Sequence, residues 1–291
     1  MRHVQLRAFH QVALAGSFTR AAEVLHVTQP AISDQIRKLE EQYDILLFNR
    51  TKRQVTLTWA GRALLDITRR LFDAEEQALH LLSENRVLQS GTLRIVADSA
   101  AHVLPVLAAF RMKYPGVRVV IRAGNSSQVM DSLHAYDADL GVIGEIPPGE
   151  AFDHVRLNET AITAFVASGH PLAGVSGLSL AQLAGHPLVL RESGSKTRTK
   201  LEEAAMAAGV TLTAAIEAEG REAVREIVAS GVGVGFVSGA EFIADARLTA
   251  IPLQGGPALM MEEALICLKE RRGGQLVRAF LDTARGLVAG C

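Results

Sequence analysis

The stretch TRAAEVLHVTQPAISDQIRKLEEQY, residues 19–43, contains two apolar patterns of helical spacing on either side of the short break HVTQP. In the second pattern, Ile32, Ile36 and Leu39 recur at positions i, i+4 and i+7, which places them on one stripe of a helix. Thr28 can cap that helix, and the proline in its first turn costs no hydrogen bond there. The stretch therefore predicts two helices joined by a short turn, with a polar face on the second.

The residues before this stretch add a third helix. Residues 4–15 carry apolar side chains at helical spacing, Gly16 follows as a stop, and Ser17 is a candidate cap for the next helix. Two short helices joined by a three- to four-residue turn are typical of a helix-turn-helix, whose second helix can enter the major groove of DNA. On periodicity alone, an ordinary helical hairpin with a solvated polar face is an equally good interpretation.

A predicted β-hairpin at residues 46–58, LLFNRTKRQVTLT, favours the DNA-binding interpretation. Its tip carries Arg50, Lys52 and Arg53, so it can act as a basic wing that contacts phosphates or the minor groove. At the amino end of the third helix, the residues able to reach base edges are Thr28, Gln29, Pro30, Ser33 and Asp34. Farther along the helix, Arg37 and Lys38 are placed to contact phosphates, which position the protein without selecting sequence.

A long helix is predicted over residues 59–89, capped by Thr58, with an apolar stripe along it. Its length and one-sided pattern favour a connector that pairs with its twin in a dimer. A helix packed on its own domain is the alternative.

Charge is unevenly distributed along the 291 residues. Residues 1–65 contain nine Lys and Arg against five Asp and Glu, whereas residues 91–291 contain eighteen against twenty-one. This asymmetry indicates a polyanionic partner for the first part of the chain only.

The two cysteines form no disulfide framework, and the sequence has neither a secretory signal pattern nor a membrane-spanning apolar run. We therefore expect a reduced, cytoplasmic protein that contacts no membrane.

The C-terminal two-thirds alternates short apolar runs with helical patterns, which predicts a parallel sheet with crossover helices. No glycine-rich dinucleotide fingerprint follows the first strand, and GVGVGF lies within a late strand. The predicted strands are 92–97, 117–124, 138–144, 162–167, 187–190, 213–218 and 232–238, with the same rhythm at 179–184, and the predicted helices are 103–114, 127–136, 196–208 and 221–230.

The first sixty residues resemble the winged helix-turn-helix of LysR-type transcriptional regulators. The resemblance is carried, in order, by F-x-x-V-x-x-x-G-S-F-x-x-A-A, T-Q-P-A-I-S-x-Q-I-x-x-L-E and L-F-x-R-x-x-R-x-V-x-L-T-x-A-G. It implies a dimeric or tetrameric DNA-binding regulator with a small-molecule effector and no other cofactor, and it allows RNA polymerase as a partner. It also places Ser17, Thr28, Gln29, Pro30, Ser33 and Arg53 among the DNA contacts.

One position departs from the family pattern, because many relatives carry a basic residue where this chain has Asp34. An acid there either reads a base, pairs with Lys38 one turn later, or weakens phosphate binding. We favour the i,i+4 pair.

The resemblance also implies the domain organisation, an α+β multidomain fold. The winged helix-turn-helix occupies residues 1–58, the linker or dimerisation helix 59–89, and an effector domain of periplasmic-binding-protein type 90–291. That domain has two α/β lobes, with lobe I formed by residues 90–161 and 266–291 and lobe II by residues 162–265. The effector is expected in the cleft between them.

Ligands of open α/β sheets bind beyond the carboxyl ends of the strands, and the loops at these positions are rich in small hydroxyl residues at helix starts. Free backbone N–H groups there favour an anion, although N-capping explains any one of these loops equally well. The candidate effector-binding residues are Asp98, Ser99, Ala100, His102, Asn125, Ser126, Ser127, Ser168, Ser193, Ser195, Thr197, Arg198 and Arg221.

Three segments in this domain, GNSSQVMDSL, LRESGSKTR and EGREAVREIVASGVGVGFVS, resemble LysR-type regulators associated with 2-aminoethylphosphonate catabolism. This favours a small anionic effector such as that phosphonate, with another oxyanion or a sugar phosphate as the alternative.

Enzyme chemistry has little support in the sequence. The nine histidines include no i,i+4 pair, the cysteines do not cluster, and no G-x-S-x-G nucleophile elbow occurs. We expect neither a catalytic site nor a metal site. A stand-alone solute-binding protein is the second hypothesis, but it lacks an export signal and leaves residues 1–89 without a role.

Overall fold

The computed structural model describes residues 1–50, 55–82, 88 and 90–290, without the side chains of residues 50, 80 and 81. The chain divides into two compact units, Met1–Leu82 and Ser83–Cys291. Among the described residues, no helix is both long enough and apolar enough to cross a membrane.

The first unit contains the predicted three helices, the hairpin and the start of the long helix. Its elements are α1 (His3–Ala15), α2 (Phe18–Val24), α3 (Gln29–Tyr43), β1 (Phe48–Arg50), β2 (Val55–Leu57) and α4 (Trp59–Leu82).

Local capping fixes the boundaries of these helices. Gly16 ends α1 with a positive φ of 62°, and the Ser17 hydroxyl accepts a hydrogen bond from the backbone N–H of Arg20. Thr28 caps α3 in the same way, and Thr58 caps α4 by accepting from the Gly61 N–H at 2.9 Å. The predicted caps are confirmed, and α2 ends at Val24, just before the break HVTQP.

The core of the first unit lies where α1, α3 and α4 meet the hairpin. Phe9 and Ile36 are fully buried there, together with the predicted Ile32 and Leu39. Glu40 is also buried, and its Oε1 accepts hydrogen bonds from the backbone N–H groups of residues 47 and 48 at 2.8 and 3.3 Å. This carboxylate holds the base of the hairpin against α3.

His10 lies in the same core, where its Nδ1 is 3.0 Å from the Thr68 hydroxyl on α4. Burial, reinforced by the nearby charge of Arg69, lowers the pKa of His10 from 6.5 to about 4. The unfolded chain takes up a proton at His10 near pH 6.5, whereas the folded chain does so only near pH 4. The contribution of His10 to the free energy of unfolding is therefore greatest above pH 6.5, where the imidazole is neutral in both states. That contribution is lost as the pH falls from 6.5 to 4.

We predict that acidification across this window removes about 3 kcal/mol from the stability of the first unit. Urea unfolding followed by the fluorescence anisotropy of Trp59, the single tryptophan of the chain, measures this change. His10→Gln, which cannot titrate, should flatten the pH profile between 6.5 and 4. Parallel profiles for parent and variant would contradict the assignment.

The α4 helix has two different faces. Leu65 and Thr68 are buried in the unit, but the predicted apolar stripe remains largely open, with Ile67 53% and Leu71 40% exposed. Ile67 and Leu71 thus form an apolar strip of α4 that is exposed among the residues that the structure describes.

The second unit contains ten strands and six α-helices among the described residues. Its strands are β3 (Thr92–Ala97), β4 (Arg118–Ala123), β5 (Leu140–Ile143), β6 (Phe152–Ala167), β7 (Leu178–Ser179), β8 (Leu188–Arg191), β9 (Ala214–Ala218), β10 (Gly235–Ser238), β11 (Leu248–Gln254) and β12 (Met260–Leu268). Its helices are α5 (Leu104–Lys113), α6 (Ser126–His134), α7 (Leu180–Leu183), α8 (Lys196–Ala207), α9 (Arg221–Ala229) and α10 (Gln275–Val288).

The predicted parallel sheet is present only in part, because antiparallel strands join it. β3 pairs in parallel with β4 and β5, and β8 pairs in parallel with β9, but β12 runs antiparallel to both β5 and β6. The 16-residue β6 pairs with β12 along its first part and with β10 and β11 along its last part. Two long antiparallel strands thus connect the two lobes, near the predicted crossings at residues 160 and 265.

Residues 179–184 were expected to continue the strand rhythm but are mostly helical. Ser179 ends the two-residue β7 and forms a capping box with Gln182, which starts α7. Strands β11 and β12 and helix α10 were not predicted at all.

Candidate functional site

The amino end of α3 presents polar side chains outward because its apolar stripe is buried on the opposite face. Thr28, Gln29 and Pro30 are exposed, and Ser33 and Asp34 are half-buried. Farther along the helix, Arg37 and Lys38 are exposed. This surface has the shape and donor set expected of a helix that reads base edges.

Asp34 is bound to the cations of its own helix. Its Oδ2 lies 2.6 Å from Lys38 Nζ and its Oδ1 lies 2.7 Å from Arg37 Nη2. The i,i+4 pair favoured from the sequence is present, and Arg37 adds an i,i+3 pair that was not predicted. Hydrogen bonds from Lys38 and Arg37 hold the pKa of Asp34 below its ordinary value.

We predict that Asp34→Asn strengthens binding to duplex DNA several-fold near 0.1 M salt, because it removes a negative charge beside Arg37 and Lys38 and frees Lys38, while Arg37 keeps its pair with Glu41. The dependence of log K on log salt should steepen by about 0.9 for each additional phosphate that these cations neutralise. Fluorescence-anisotropy titrations at several salt concentrations measure both quantities. Asp66→Asn on α4 makes the same charge change at an exposed carboxylate that pairs with the half-buried Arg69, and it is expected to have little effect. Equal increases in affinity for the two variants would contradict a specific role for Asp34.

Ser17 is half-buried and its hydroxyl is used as the α2 cap. The basic tip of the predicted wing, with the Arg50 side chain, Lys52 and Arg53, lies outside the described residues. The two strands that carry the tip are present as an antiparallel pair.

A cavity of about 690 Å³ lies between the lobes of the second unit. It is bordered by the residues that follow β3, β4, β8 and β9, so it sits beyond the carboxyl ends of parallel strands, as expected for this kind of sheet. Five of the candidate effector-binding residues line it, namely Asp98, Ser99, Ala100, Asn125 and Arg221.

Two of the other candidates are bonded elsewhere. Arg198 pairs with Glu202 and Glu217, which turns its guanidinium away from the cavity. Ser168 donates to the backbone carbonyl of Ala246 at 2.9 Å, at the far end of β6.

Ser126 lies one layer behind the lining, where it donates to Asp98 Oδ2 at 2.9 Å. The remaining candidates, which also do not line the cavity, are His102, Ser127, Ser193, Ser195 and Thr197.

Ser127 and Ser193 take part in backbone contacts between the lobes. The Ser127 N–H donates to the Gly194 carbonyl at 3.3 Å, and Asn125 Nδ2 donates to the Ser193 carbonyl at 3.2 Å. Ser195 caps no backbone group, and its buried hydroxyl has no hydrogen-bond partner among the described residues.

The charged lining of the cavity was largely missed from the sequence. Arg191 donates to both oxygens of Glu192 at 2.8 Å, and Arg221 lies 2.9 Å from Asp98 Oδ1 and from Glu241 Oε1. Burial opposes the charge of Glu192, but the bonds from Arg191 outweigh it and hold the pKa of this carboxyl at about 2. Further charged lining residues are Arg122, Glu219 and Glu222.

A second polar group extends inward from the cavity wall, where Glu241 is a lining residue and His102 and Glu263 lie behind it. His102 Nε2 is 2.9 Å from Glu241 Oε1 and 3.4 Å from Glu263 Oε2. Burial lowers the pKa of His102, but the hydrogen bond to Glu241 and the charge of Glu263 outweigh it and raise the pKa above its ordinary value. Burial raises the pKa of Glu263 to about 7, whereas the bonds of Glu241 to its cationic neighbours overcome burial and keep its pKa low.

Family models match both units. The model described as "Bacterial regulatory helix-turn-helix protein, lysR family" matches residues 3–62, and the model described as "LysR substrate binding domain" matches residues 86–289. The RuBisCO operon transcriptional regulator of Allochromatium vinosum is 34% identical over 80% of this chain and 78% of that protein. The HTH-type transcriptional activator CmpR of Synechocystis is 28% identical over 96% of this chain and 93% of that protein.

Solved structures show the same fold over nearly the full length. A full-length OxyR variant from Pseudomonas aeruginosa superposes with a TM-score of 0.79 at 20% identity, covering 98% of this chain and 95% of that one. Full-length CbnR complexed with its target DNA superposes with a TM-score of 0.66 at 22% identity, covering 98% and 99%.

Proposed function

The chain belongs to the LysR family of bacterial transcriptional regulators, and from this premise we propose that it binds duplex DNA through the amino end of α3 and responds to a small ligand in the cavity between its lobes. A stand-alone solute-binding protein is disfavoured, because residues 3–62 match a DNA-binding family model. Since its partner is DNA, we place its action in the cytoplasm, with RNA polymerase as a further partner and no enzymatic role.

The exposed strip of α4 supports self-association. Ile67 and Leu71 lie one turn apart on a helix whose other face, with Leu65 and Thr68, is buried in its own unit. Pairing two such strips would bury them and bring two copies of α3 to one DNA site. We therefore propose a dimer, or a tetramer built from dimers.

The effector proposal rests on the mixed charge of the cavity. The guanidinium groups of Arg191 and Arg221 can hold an oxyanion, yet each is already paired with carboxylates. A ligand with an oxyanion alone would have to displace those carboxylates without giving them a new partner. A ligand that also carries an ammonium group can pair with both sets of charges.

We accordingly propose an aminophosphonate such as 2-aminoethylphosphonate as the effector. Thermal-shift titration of the full chain tests this with 2-aminoethylphosphonate, ethylphosphonate, phosphate, sulfate and a sugar phosphate. The aminophosphonate should stabilise the chain at concentrations at least about tenfold lower than ethylphosphonate, which has the same acid group without the amine. Saturable stabilisation by a sugar phosphate or a simple oxyanion alone would instead support the alternative effector class.

A further inference from the structure

His102, Glu241 and Glu263 form a compact buried cluster, which we call the lobe-junction cluster. One ligand atom from each, His102 Nε2 and a carboxylate oxygen from each glutamate, lies within 4.8 Å of the other two. Their side chains are only 2%, 4% and 3% exposed. His102 follows β3 in lobe I, Glu241 follows β10 in lobe II, and Glu263 lies on β12 beside the irregularity in its pairing with β6. The cluster therefore joins elements of both lobes.

Two polar atoms in and beside the cluster have no hydrogen-bond partner among the described residues: Glu263 Oε1 and Asn158 Oδ1. Ser238 interacts with the Glu263 carboxylate, but its hydroxyl is also bonded to the Thr160 hydroxyl at 2.8 Å. Leaving a buried oxygen without a partner costs about 1–3 kcal/mol, so two such atoms at one place indicate that a binding partner belongs there.

The Asn158 amide points to a metal ion as that partner. Its Nδ2 lies 3.1 Å from His102 Nδ1, and a half-turn of the amide, which exchanges its oxygen and nitrogen, would put Oδ1 there instead. When Nε2 of a histidine binds a metal, Nδ1 keeps its proton and donates to an acceptor such as a carbonyl oxygen. The turned amide would provide that acceptor and satisfy Asn158 Oδ1 at the same time.

We propose that the lobe-junction cluster is a binding site for a divalent transition-metal ion of the Zn²⁺ type, held by His102, Glu241 and Glu263. One imidazole and two carboxylates supply a nitrogen and oxygen donor set that such ions accept, with a fourth position left for water or a ligand. The ion would give the Glu263 carboxylate a partner. Because its ligands come from both lobes, it would also fix their separation.

The neighbouring cation does not block this site. Arg221 Nη2 lies 2.9 Å from Glu241 Oε1, but the same side chain also binds the carboxylate and the backbone carbonyl of Asp98. Arg221 therefore keeps partners if Glu241 turns to a metal. The site adjoins the proposed effector cavity, because Glu241 also lines that cavity, whereas His102 and Glu263 do not.

Isothermal titration of the EDTA-treated, dialysed full chain with ZnCl₂ tests the proposal. We expect one saturable site per chain and a rise in Tm that depends on Zn²⁺, with no comparable effect of CaCl₂, because Ca²⁺ requires six to eight oxygen ligands. Glu263→Gln should weaken Zn²⁺ binding by about tenfold or more. His154→Ala and Glu159→Gln change exposed residues of β6 that lie outside the cluster and should leave it unchanged.

The metal-free Tm of Glu263→Gln shows whether this variant folds, and His102→Gln tests the same site from lobe I. Loss of Zn²⁺ binding in either folded variant supports the site. Absence of saturable binding in the parent would overturn it, as would binding that Glu263→Gln and His102→Gln leave unaltered. In that event the cluster is neutralised by protons alone.

Discussion

Arg221→Ala is expected to abolish the effector response and to destabilise the second unit by about 3 kcal/mol or more. Arg221 binds Asp98 through both its carboxylate and its backbone carbonyl, and it also contacts Glu241. Both carboxylates are buried, so removing the guanidinium takes away the cation 2.9 Å from Asp98 and one cationic neighbour of Glu241, which keeps His102. The same change removes a cation that we assign to effector binding.

Two variants separate these effects. Arg221→Lys keeps the positive charge but loses the planar guanidinium with its several N–H donors. It should therefore be much more stable than Arg221→Ala, while its effector response stays weak. Arg247→Ala removes an exposed guanidinium that pairs with Glu226 and Asp245, and it should lower the stability far less than Arg221→Ala does. Thermal unfolding with and without 2-aminoethylphosphonate measures both quantities. An Arg221→Ala chain as stable and as responsive as Arg247→Ala would contradict the assignment.

Gly61→Ala is expected to destabilise the first unit by about 3 kcal/mol and thereby to reduce DNA affinity. A Cβ at this position would lie 2.1 Å from the backbone carbonyl oxygen of Leu47 and 3.0 Å from a Leu57 methyl group. A backbone oxygen cannot swing aside as a side chain can. The helix α4 would have to move away from the hairpin that it supports.

Gly286→Ala is the matched control, since Gly286 is also helical and has no neighbour within 4 Å of its added Cβ. It should be neutral or slightly stabilising, because alanine favours a helix by up to about 1 kcal/mol. Urea unfolding followed by Trp59 anisotropy reports on the first unit, and the ligand-dependent thermal shift reports on the second. Unfolding midpoints that agree between the two variants would show that the close approach at Gly61 is unimportant.

The elements of the first unit could be predicted because their boundaries depend on local chemistry. Gly16 ends α1, and Ser17, Thr28 and Thr58 each cap the helix that follows. Strand β12 was not predicted, and its direction could not be inferred in this way. An apolar run has the same pattern in either direction, and this strand runs antiparallel because it returns from lobe II to lobe I.

The position of the cavity was predicted, but only some of the residues that line it were. Loops after β3, β4 and β8 do border it, since the carboxyl ends of parallel strands meet at one edge. Within LRESGSKTR, however, Arg191 lines the cavity whereas Arg198 pairs with Glu202 and Glu217. The residues Glu241 and Glu263 are 22 positions apart and meet His102 only through the fold, so spacing in the sequence gave no indication of their cluster.

The central claim is that the amino end of α3 reads base edges. The most direct test is to measure the affinity of the parent and of Gln29→Ala for duplex DNA upstream of a neighbouring gene, together with all its single-base variants, at several salt concentrations. We predict salt-sensitive binding by the parent with a preference at one position worth about 1–3 kcal/mol, which Gln29→Ala loses while preferences elsewhere and the salt slope are kept. An identical base preference in the two proteins, or no salt-sensitive binding by the parent, would contradict the account.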